Sequence, residues 1–370
     1  IASWFLKKRM HQIELFIKYP HEVQNDVLSK LIGIAKNTVI GEKYDFTSIK
    51  NYKEFSKRVP VFSYEQFSDK IELARQGQNN IFWPSKIKWF AKSSGTTNSR
   101  SKYIPVSDES LEDCHYAAGK DLLCMYFNNN PNSQLFTGKS LRLGGSKTPY
   151  EKNGTFYGDL SAILIDNMPF WAEFSSTPSN KTSLMEDWNY KINAIINETK
   201  NENVTSLAGV PSWMLVLLNR VLKETNTNQI FEVWPNIEVY FHGGVSFKPY
   251  LNQYKKLIGK DKMKYYEIYN ASEGFFAIQY ENNSDELLLM LDYGIFYEFI
   301  EMDKYGTKDE KVISLADVKL NKNYAILITT NAGLWRYKIG DTVKFTSLCP
   351  FKIIVSVSYT HLRAHETHRY

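Results

Sequence analysis

The feature that most constrains the fold of this chain is the interleaving of two hydrophobic periodicities. Apolar residues at three- and four-residue spacing, typical of helices, occur in SWFLKKRMHQIELFIKYP and PSWMLVLLNRVLKET. Short apolar or alternating runs, typical of strands, occur in IEVYFHGG, KYYEIYNAS, LLLMLDYGIFYEFI and YAILITT. Because helical and strand segments alternate along the chain, we predict an α/β protein with mixed sheets flanked by helices.

Two helix boundaries are specified by local residue chemistry. The N-terminal helical pattern is interrupted at Tyr19-Pro20, so we expect two helices there rather than one. The segment SDESLEDCHYAAGKDLLCMYF predicts a further helix with Ser107 or Asp108 as its N-cap, because a short oxygen-bearing side chain there accepts a hydrogen bond from the first turn.

Composition excludes several classes of protein. The chain has 370 residues, and its net charge of +5 is spread without a basic block, so we expect no nucleic-acid partner. The longest apolar run that we find, Trp213 to Leu218, is far too short to span a bilayer, so we expect no membrane partner. The three cysteines show no CxxC spacing and no disulfide framework, which predicts a cytoplasmic location.

The stretch FAKSSGTTNSRSKYIPVS contains a cluster of small and hydroxylated residues. A glycine lets backbone N–H groups converge on an anion, and the hydroxyls and a nearby lysine add donors and charge. This pattern predicts a polyphosphate-binding loop formed by Ser93, Ser94, Gly95, Thr96 and Thr97, with Lys102 supplying the charge. A solvated Ser/Thr turn is the alternative interpretation.

Three later segments have the chemistry of a nucleotide site. FHGGVSFKPY ends a strand in Gly243-Gly244, which permits close approach of the backbone to a flat ligand, or is a simple turn. YEIYNASEGFFAIQY places Tyr269, Ser272 and Glu273 at a strand end, where an aromatic ring can stack on a purine and a carboxylate can bind Mg²⁺.

The third segment is TTNAGLWRYKIGDTVKF, which places four residues of interest between two expected strands. They are Arg336, Tyr337, Gly340 and Asp341. An Asp after a glycine turn can accept both hydroxyls of a ribose, although it is also common in plain Gly-Asp turns. Together with the earlier segments, this gives an ordered set of motifs that fits around one Mg-ATP.

The ordered set resembles the GH3 family of acyl-acid amido synthetases, within the wider adenylate-forming group that includes firefly luciferase and acyl-CoA synthetases. The family motif S-S-G-T-T-x-G-x-x-K is matched by SSGTTNSRSK, with Ser99 in place of the glycine. The motif Y-x-x-S-E is matched by YNASE, and Y-R-x-G-D by YKIGD, with Lys338 in place of the arginine. A lysine cannot make the two-pronged contact of a guanidinium.

The resemblance implies a two-step reaction that uses ATP and Mg²⁺. A carboxylic acid is adenylated with release of pyrophosphate, and the amine of an amino acid then displaces AMP to form an amide. It implies catalytic roles for Lys102 and Glu273, with Glu273 also the Mg²⁺ ligand. The resemblance assigns nucleotide binding to the Ser93–Thr97 loop, Gly243-Gly244, Tyr269, Ser272, Arg336, Tyr337 and Asp341. Of these, Asp341 would hold the ribose.

Two other functions remain open from sequence. The same adenylate chemistry can end in a thioester to coenzyme A, and a non-catalytic nucleotide-binding homologue would keep only the first step. We expect an aromatic, apolar acyl pocket formed by the segments 168–176 and 210–218, with core packing as an equal alternative for both.

The two ends of the chain have unusual sequences. The tail VSYTHLRAHETHRY holds His361, His365 and His368 at a spacing that would suit a metal site, but it resembles the translation of a sequencing-library adapter. We therefore expect residues 1–356 to form the large N-terminal domain of a bacterial, monomeric protein, and 357–370 to be non-native. The small C-terminal domain of the family would then be absent, and we expect the chain to bind nucleotide but to complete amide synthesis poorly.

Overall fold

The computed structural model describes residues 2–93, 101–145 and 147–358, and it confirms an α/β architecture with mixed sheets flanked by helices. The longer helices are α1 (Ala2–Lys18), α2 (Pro20–Ala35), α4 (Tyr52–Arg58), α5 (Tyr64–Arg75), α7 (Ala117–Asn129), α8 (Leu160–Asp166), α11 (Trp188–Thr199), α12 (Pro211–Thr225) and α14 (Leu251–Ile258). Shorter helices are α3 (Val39–Lys43), α6 (Asp108–Ser110), α9 (Phe170–Phe174), α10 (Asn180–Ser183) and α13 (Ile230–Val233). A π-helical segment, Leu111–Tyr116, joins α6 to α7.

The strands form two sheets. The first eight are β1 (Trp89–Ser93), β2 (Lys102–Val106), β3 (Lys139–Leu143), β4 (Tyr150–Lys152), β5 (Thr155–Gly158), β6 (Ser176–Thr177), β7 (Val204–Gly209) and β8 (Val239–His242). The others are β9 (Lys264–Ala271), β10 (Gly274–Gln279), β11 (Leu287–Leu289), β12 (Ile295–Glu301), β13 (Val312–Ser314), β14 (Asn323–Thr330), β15 (Tyr337–Leu348) and β16 (Phe351–Ser358).

The larger sheet has twelve strands in the order β13-β12-β14-β15-β16-β11-β10-β9-β8-β7-β3-β6. The strands from β6 to β9 pair in parallel, whereas β9 pairs antiparallel with β10 and the strands beyond it are antiparallel. The smaller sheet has four strands in the order β2-β1-β5-β4. The change from parallel to antiparallel pairing occurs at β9, the strand that contains Tyr269, Asn270 and Ala271.

The helix boundaries agree with the local sequence chemistry. The helical conformation is interrupted at Tyr19, and α2 begins at Pro20. At this first helical position the missing N–H of proline removes no hydrogen bond of the helix. One strand prediction is corrected: LLLMLDYGIFYEFI is not a single strand but two, β11 and β12. Gly294 between them has a φ of 68°, so the backbone turns there.

The core is continuous around the large sheet. One cluster joins the N-terminal helices to β10–β16, with fully buried aromatic rings such as Phe55, Trp335 and Tyr297. A second cluster fills the other face of the parallel strands with α11, α12 and α14, and includes Leu207, Met214 and Tyr240. In the described part of the chain, no helix has both the length and the apolar character needed to cross a bilayer.

Ser107 stabilises the start of the helix that follows β2. Its Oγ accepts a hydrogen bond from the Ser110 backbone N–H at 2.9 Å and donates to the Asn331 carbonyl at 2.8 Å. The side chain is fully buried, so both contacts are shielded from water. Ser107 therefore caps the helix and links it to the loop before β15.

We expect Ser107→Ala to lower the free energy of unfolding by about 2–4 kcal/mol, since it removes an N-cap and also leaves a buried carbonyl without its donor. Ser63→Ala is the matched control, because Ser63 caps α5 in a capping box at a more exposed position. This control should cost only about 1 kcal/mol. Urea denaturation of both variants measures the difference, and equal losses would contradict the added role of Ser107.

Candidate active site

A cavity of about 950 Å³ opens at the carboxyl ends of the parallel strands. Arg142 of β3, Ala208 of β7 and Phe241 of β8 lie side by side in the sheet register and line the same wall. The opposite wall is the helix of residues 111–129, which presents His115, Gly119 and Leu122. In open α/β sheets the carboxyl ends of parallel strands are the usual position of a ligand site.

Gly243 and Gly244 line this cavity, and each has a structural reason to be glycine. A side chain on Gly243 would lie 2.7 Å from the Ile268 carbonyl oxygen, so the close contact with β9 excludes one. Gly244 has a φ of 81°, which favours glycine. Close packing against β9 therefore accounts for Gly243 and a turn accounts for Gly244, and their position leaves bare backbone facing the cavity.

The end of β9 presents different residues to its two faces. Ile268 and Asn270 line the cavity, whereas Tyr269, between them, is 7% exposed and packs its ring against Phe276. The Tyr269 hydroxyl donates to Asp341 Oδ2 at 3.0 Å, and burial raises its pKa well above the ordinary value, so it remains a donor. This geometry differs from the expected purine-stacking role: Tyr269 orients a carboxylate, and Asn270, which the sequence analysis did not single out, faces the cavity.

Ser272 and Glu273 form the two-residue turn between β9 and β10, in which Ala271 pairs with Gly274. Burial raises the pKa of Glu273 to about 7, the nearby charge of Asp341 acts in the same direction, and Lys102 opposes it. The charges of Lys102 and Asp341 thus act on the Glu273 carboxyl, although the three residues come from separate strands or turns.

Asp341 lies within β15, not in a turn between two strands as the sequence suggested. The pairing of β15 with β14 is interrupted between Lys338 and Thr342, and Gly340 in this interval has a φ of 95°. Such a bulge redirects a side chain out of the ladder. The glycine thus serves to aim Asp341 toward Tyr269 and Glu273.

Ser93 and Lys102 are paired opposite each other in the β1–β2 hairpin. Lys102 is half-buried, and its Nζ lies 5.5 Å from the centre of the Tyr64 ring. The remaining residues of the expected phosphate loop, Ser94, Gly95, Thr96 and Thr97, lie outside the described residues. Of that loop, therefore, only Ser93 and Lys102 are placed, and the charge of Lys102 acts on the Glu273 carboxyl.

Tyr337 is fully buried at the start of β15. Its hydroxyl has no hydrogen-bond partner among the described residues, and the nearby Glu273 helps burial to raise its pKa. A buried hydroxyl without a partner is costly, so a polar partner from a ligand or from the rest of the chain would lower the free energy of this state.

Arg336 requires a correction, because its guanidinium is used inside the protein. It forms a buried ion pair with Glu298, with Nη2 to Oε1 at 2.8 Å and Nε to Oε2 at 2.8 Å. Nη1 donates to the Ser56 and Val59 carbonyl oxygens at 2.8 and 2.7 Å. The φ of 43° at Arg336 lies in the left-handed region, which is uncommon for a residue other than glycine. Through these contacts Arg336 ties α4 to the sheet, and its guanidinium is engaged by partners inside the protein.

The two segments expected to form an acyl pocket are divided between the cavity and the core. Met168, Ala172, Val210 and Trp213 line the cavity. Met214, Leu217 and Leu218, from the same second segment, are fully buried in the core behind the parallel strands. His115 also lines the cavity, and burial lowers its pKa to about 4, so the imidazole is neutral at ordinary pH.

Solved structures of other proteins share the fold of this chain. The chain superposes on the AtGH3.15 acyl acid amido synthetase in complex with 2,4-DB with a TM-score of 0.76 at 17% identity, covering 90% of this chain and 67% of that one. It also matches a 2-hydroxyisobutyryl-CoA ligase, solved with 2-HIB-AMP and CoA, with a TM-score of 0.58 at 12% identity, covering 89% and 72%. The chain therefore shares the fold of these two ligases.

Sequence comparison places the chain more narrowly. The family model described as the GH3 family N-terminal domain matches residues 9–263, and the GH3 family central domain matches residues 288–355. The chain therefore belongs to the GH3 family. Relatives include an indole-3-acetic acid-amido synthetase, GH3.4 of Arabidopsis thaliana, 22% identical, covering 92% of this chain and 67% of the relative. The jasmonoyl–L-amino acid synthetase JAR4 of Nicotiana attenuata is also 22% identical, covering 90% and 68%.

We expect Arg336→Met to lower the free energy of unfolding by about 3–5 kcal/mol, because it leaves the Glu298 carboxylate buried without its partner. The matched control is Lys338→Met two residues further along β15, where the ion pair with Glu310 is partly exposed. Exposed pairs contribute about 0–1 kcal/mol, so this control should stay within that range. Urea denaturation distinguishes the two, and a loss below about 1 kcal/mol at Arg336 would contradict the anchoring role.

Proposed function

We propose that this protein activates a carboxylic acid with ATP as an acyl-adenylate and then transfers the acyl group to the amine of an amino acid. The observation that carries the proposal is the convergence of Lys102, Glu273 and Asp341 at the end of β9, beside a large cavity, in a chain of the GH3 family. The amido synthetases among its relatives support the amide as the product.

In the first step a carboxylate oxygen of the acid attacks the α-phosphorus of ATP, and the bond to the β-phosphate oxygen breaks, releasing pyrophosphate. In the second, the amine nitrogen attacks the acyl carbon, the bond to AMP breaks, and the amine loses a proton. Such chemistry requires mainly positioning and charge neutralisation. No covalent nucleophile of the protein is needed.

The residues have separate roles in this proposal. Lys102 offsets the negative charge that develops on the departing pyrophosphate. Asp341, oriented by the Tyr269 hydroxyl, accepts hydrogen bonds from the ribose. Gly243 and Gly244 allow the adenine to lie against bare backbone, and the Asn270 amide beside them can hydrogen-bond its edge. Ser93 and Ser272 stand at the ends of the strands that bound the phosphate region.

Glu273 is the residue that would hold Mg²⁺. Carboxylate oxygens are the hard ligands that Mg²⁺ prefers, so the Glu273 carboxylate would suit the ion. Glu273 and Asp341 raise the free energy of each other's ionised form, and a divalent cation removes that cost. The ion supplies neutralisation of phosphate charge.

A thioester-forming reaction with coenzyme A is the second candidate, favoured by the structural match to a CoA ligase. Its first step is the same adenylation, so the two functions differ only in the acceptor.

We expect carboxylic acids that fit the cavity to stimulate exchange of labelled pyrophosphate into ATP. Asp341→Ala should reduce kcat/KM for ATP by at least about tenfold, because the variant loses roughly one charge-assisted hydrogen bond to the ribose. Glu310→Gln, on the surface pair beside β15, is the control and should remain near wild type. Adding amino acids or coenzyme A to the adenylated enzyme then identifies the acceptor. Exchange that is independent of any acid would contradict adenylation.

We expect Mg²⁺-dependent nucleotide binding to strengthen about tenfold from pH 6 to pH 8, because a carboxyl with a pKa of about 7 ionises across this interval and only its ionised form binds metal.

The stability of the ligand-free protein should change in the opposite direction. The stability that protonated Glu273 contributes is fully present below 4.5, the pKa of this carboxyl in the unfolded chain. This contribution is lost as pH rises through 7, because the folded state binds the proton more tightly. Titration calorimetry checks the binding and urea denaturation the stability, each in wild type and Glu273→Gln, and the same pH slopes in that variant would exclude Glu273.

A further inference from the structure

The wall of the cavity away from the nucleotide end contains a cation that the adenylation chemistry does not use. Arg142 lies on β3, two strands from β8, whose end leads into Gly243 and Gly244. At the usual strand spacing this is about 10 Å across the sheet. The lining of the cavity also includes apolar side chains such as Leu122, Phe241 and Trp213.

Among the described residues, Arg142 contacts hydrogen-bonding partners that are neutral. Its Nη2 donates to Asn180 Oδ1 at 2.6 Å, and Nη1 contacts the Met168 sulfur. Its Nε is buried and has no hydrogen-bond partner among the described residues. Glu173 acts on it only at longer range and is itself bonded to Asn180. Burial lowers the pKa of Arg142 to about 10, so the group is still a cation at neutral pH.

A second buried cation lies on the same side of the cavity. Lys191 of α11 is 2% exposed, lines the cavity, and donates from Nζ to the Gly144 carbonyl oxygen at 3.1 Å and to the Gly145 carbonyl oxygen. Within the described residues it forms no ion pair with a carboxylate. Burial lowers its pKa, and the charge of Asp159 opposes this change.

Among the described residues, the acidic side chains of the cavity form no ion pair with Arg142 or Lys191, although the charge of Asp159 acts on Lys191. Asp159 caps α8, accepting from the Ala162 backbone N–H at 2.8 Å and from Ser161 Oγ at 2.6 Å. Glu186 is exposed and paired with Lys147 at 3.0 Å. A buried charge without a counter-ion is costly, and a planar guanidinium is suited to a carboxylate. The cavity is therefore electrostatically prepared for an anion at the Arg142 wall.

We propose that Arg142, with Lys191 behind it, forms a carboxylate-binding subsite, so that the cavity takes a carboxylate in addition to the one that is adenylated. The inference rests on the proposed function and specifies its substrate class. The carboxylate has two chemical sources: a second carboxylate on the acyl acid, as in a dicarboxylic acid, or the α-carboxylate of the amino acid acceptor. The sheet spacing suits a diacid whose two carboxylates lie at opposite ends of the cavity.

The experiment compares matched probes in wild type, Arg142→Gln and Arg142→Lys. Lys139→Gln is the control, because Lys139 lies on the same strand, pairs with Glu202 and does not line the cavity. Adipate and suberate are compared with hexanoate and octanoate by pyrophosphate exchange and by the shift in Tm. Alanine is compared with ethylamine as acceptor in amide formation.

If the distal carboxylate is on the acid, KM for the diacids is at least about tenfold below that for the matched monoacids, and Arg142→Gln removes this preference. If it is on the acceptor, the acids behave alike, and Arg142→Gln removes the preference for alanine over ethylamine. Lys139→Gln keeps both preferences in either case. Arg142→Lys retains the positive charge but not the planar pair of donors of the guanidinium, so it should weaken the preference only partly. This variant also replaces Arg142→Gln in the test if Arg142→Gln fails to fold.

The subsite is overturned if folded Arg142 variants keep the wild-type ratios for both probe pairs. If no acid stimulates exchange in wild type, the proposed adenylation fails, and the Tm shifts still decide the subsite. A larger shift with diacid than with monoacid that depends on Arg142 supports it, and equal shifts exclude it.

Discussion

The candidate site depends on strand β9, which is held between a parallel neighbour and an antiparallel one. On the β8 side its residues complete the wall of the cavity, and on the β10 side the chain turns tightly through Ser272 and Glu273. The Tyr269 hydroxyl then reaches across to Asp341 of β15. One strand therefore brings the acid cavity, the proposed metal ligand and the proposed ribose ligand to the same place. A shift of its register by one residue would exchange the faces of Tyr269 and Asn270 and separate these parts.

The electrostatics of the site are unfavourable until it is filled. Glu273 and Asp341 repel each other in a partly buried place, and Lys102 compensates only in part. On the far wall of the cavity, Arg142 and Lys191 are cations held by neutral groups. Both ends thus have the charge that complements a ligand, namely a metal–nucleotide complex at one end and a carboxylate at the other. Active sites commonly keep such unfavourable charges, because the ligand satisfies them on binding. Elsewhere, as at Arg336 and Glu298, buried charges are already paired and serve stability.

Sequence was sufficient for the features that depend on local chemistry. The α/β class, the helix break before Pro20 and the Ser107 cap follow from residues within a few positions of each other. The GH3 family was recognisable from short motifs, and the comparisons confirm it. The features that sequence could not give depend on distant partners. Arg336 lies next to the YKIGD motif, yet its side chain is drawn inward by Glu298 on another strand.

The bulge at Gly340 and the face occupied by Tyr269 are also set by pairing with neighbouring strands, which no short motif encodes. Arg142 and Lys191 belong to no recognisable motif, and only the folded structure brings both to the lining of one cavity. The roles of the individual site residues therefore stay predictions, whereas the structure places Tyr269 in β9, Ser272 and Glu273 in the turn after it, and Asp341 within hydrogen-bond distance of Tyr269.

The most direct test of this account is thermal unfolding of the protein with and without Mg-ATP, in wild type and in Asp341→Asn. A ligand that binds only the folded state, at about 100 times its dissociation constant, adds about 2.7 kcal/mol of stability. We expect such a rise in Tm for wild type and a clearly smaller one for Asp341→Asn at the same nucleotide concentration. An equal shift in both proteins would place the nucleotide elsewhere, and no shift in a well-folded wild type would contradict nucleotide binding at the end of β9.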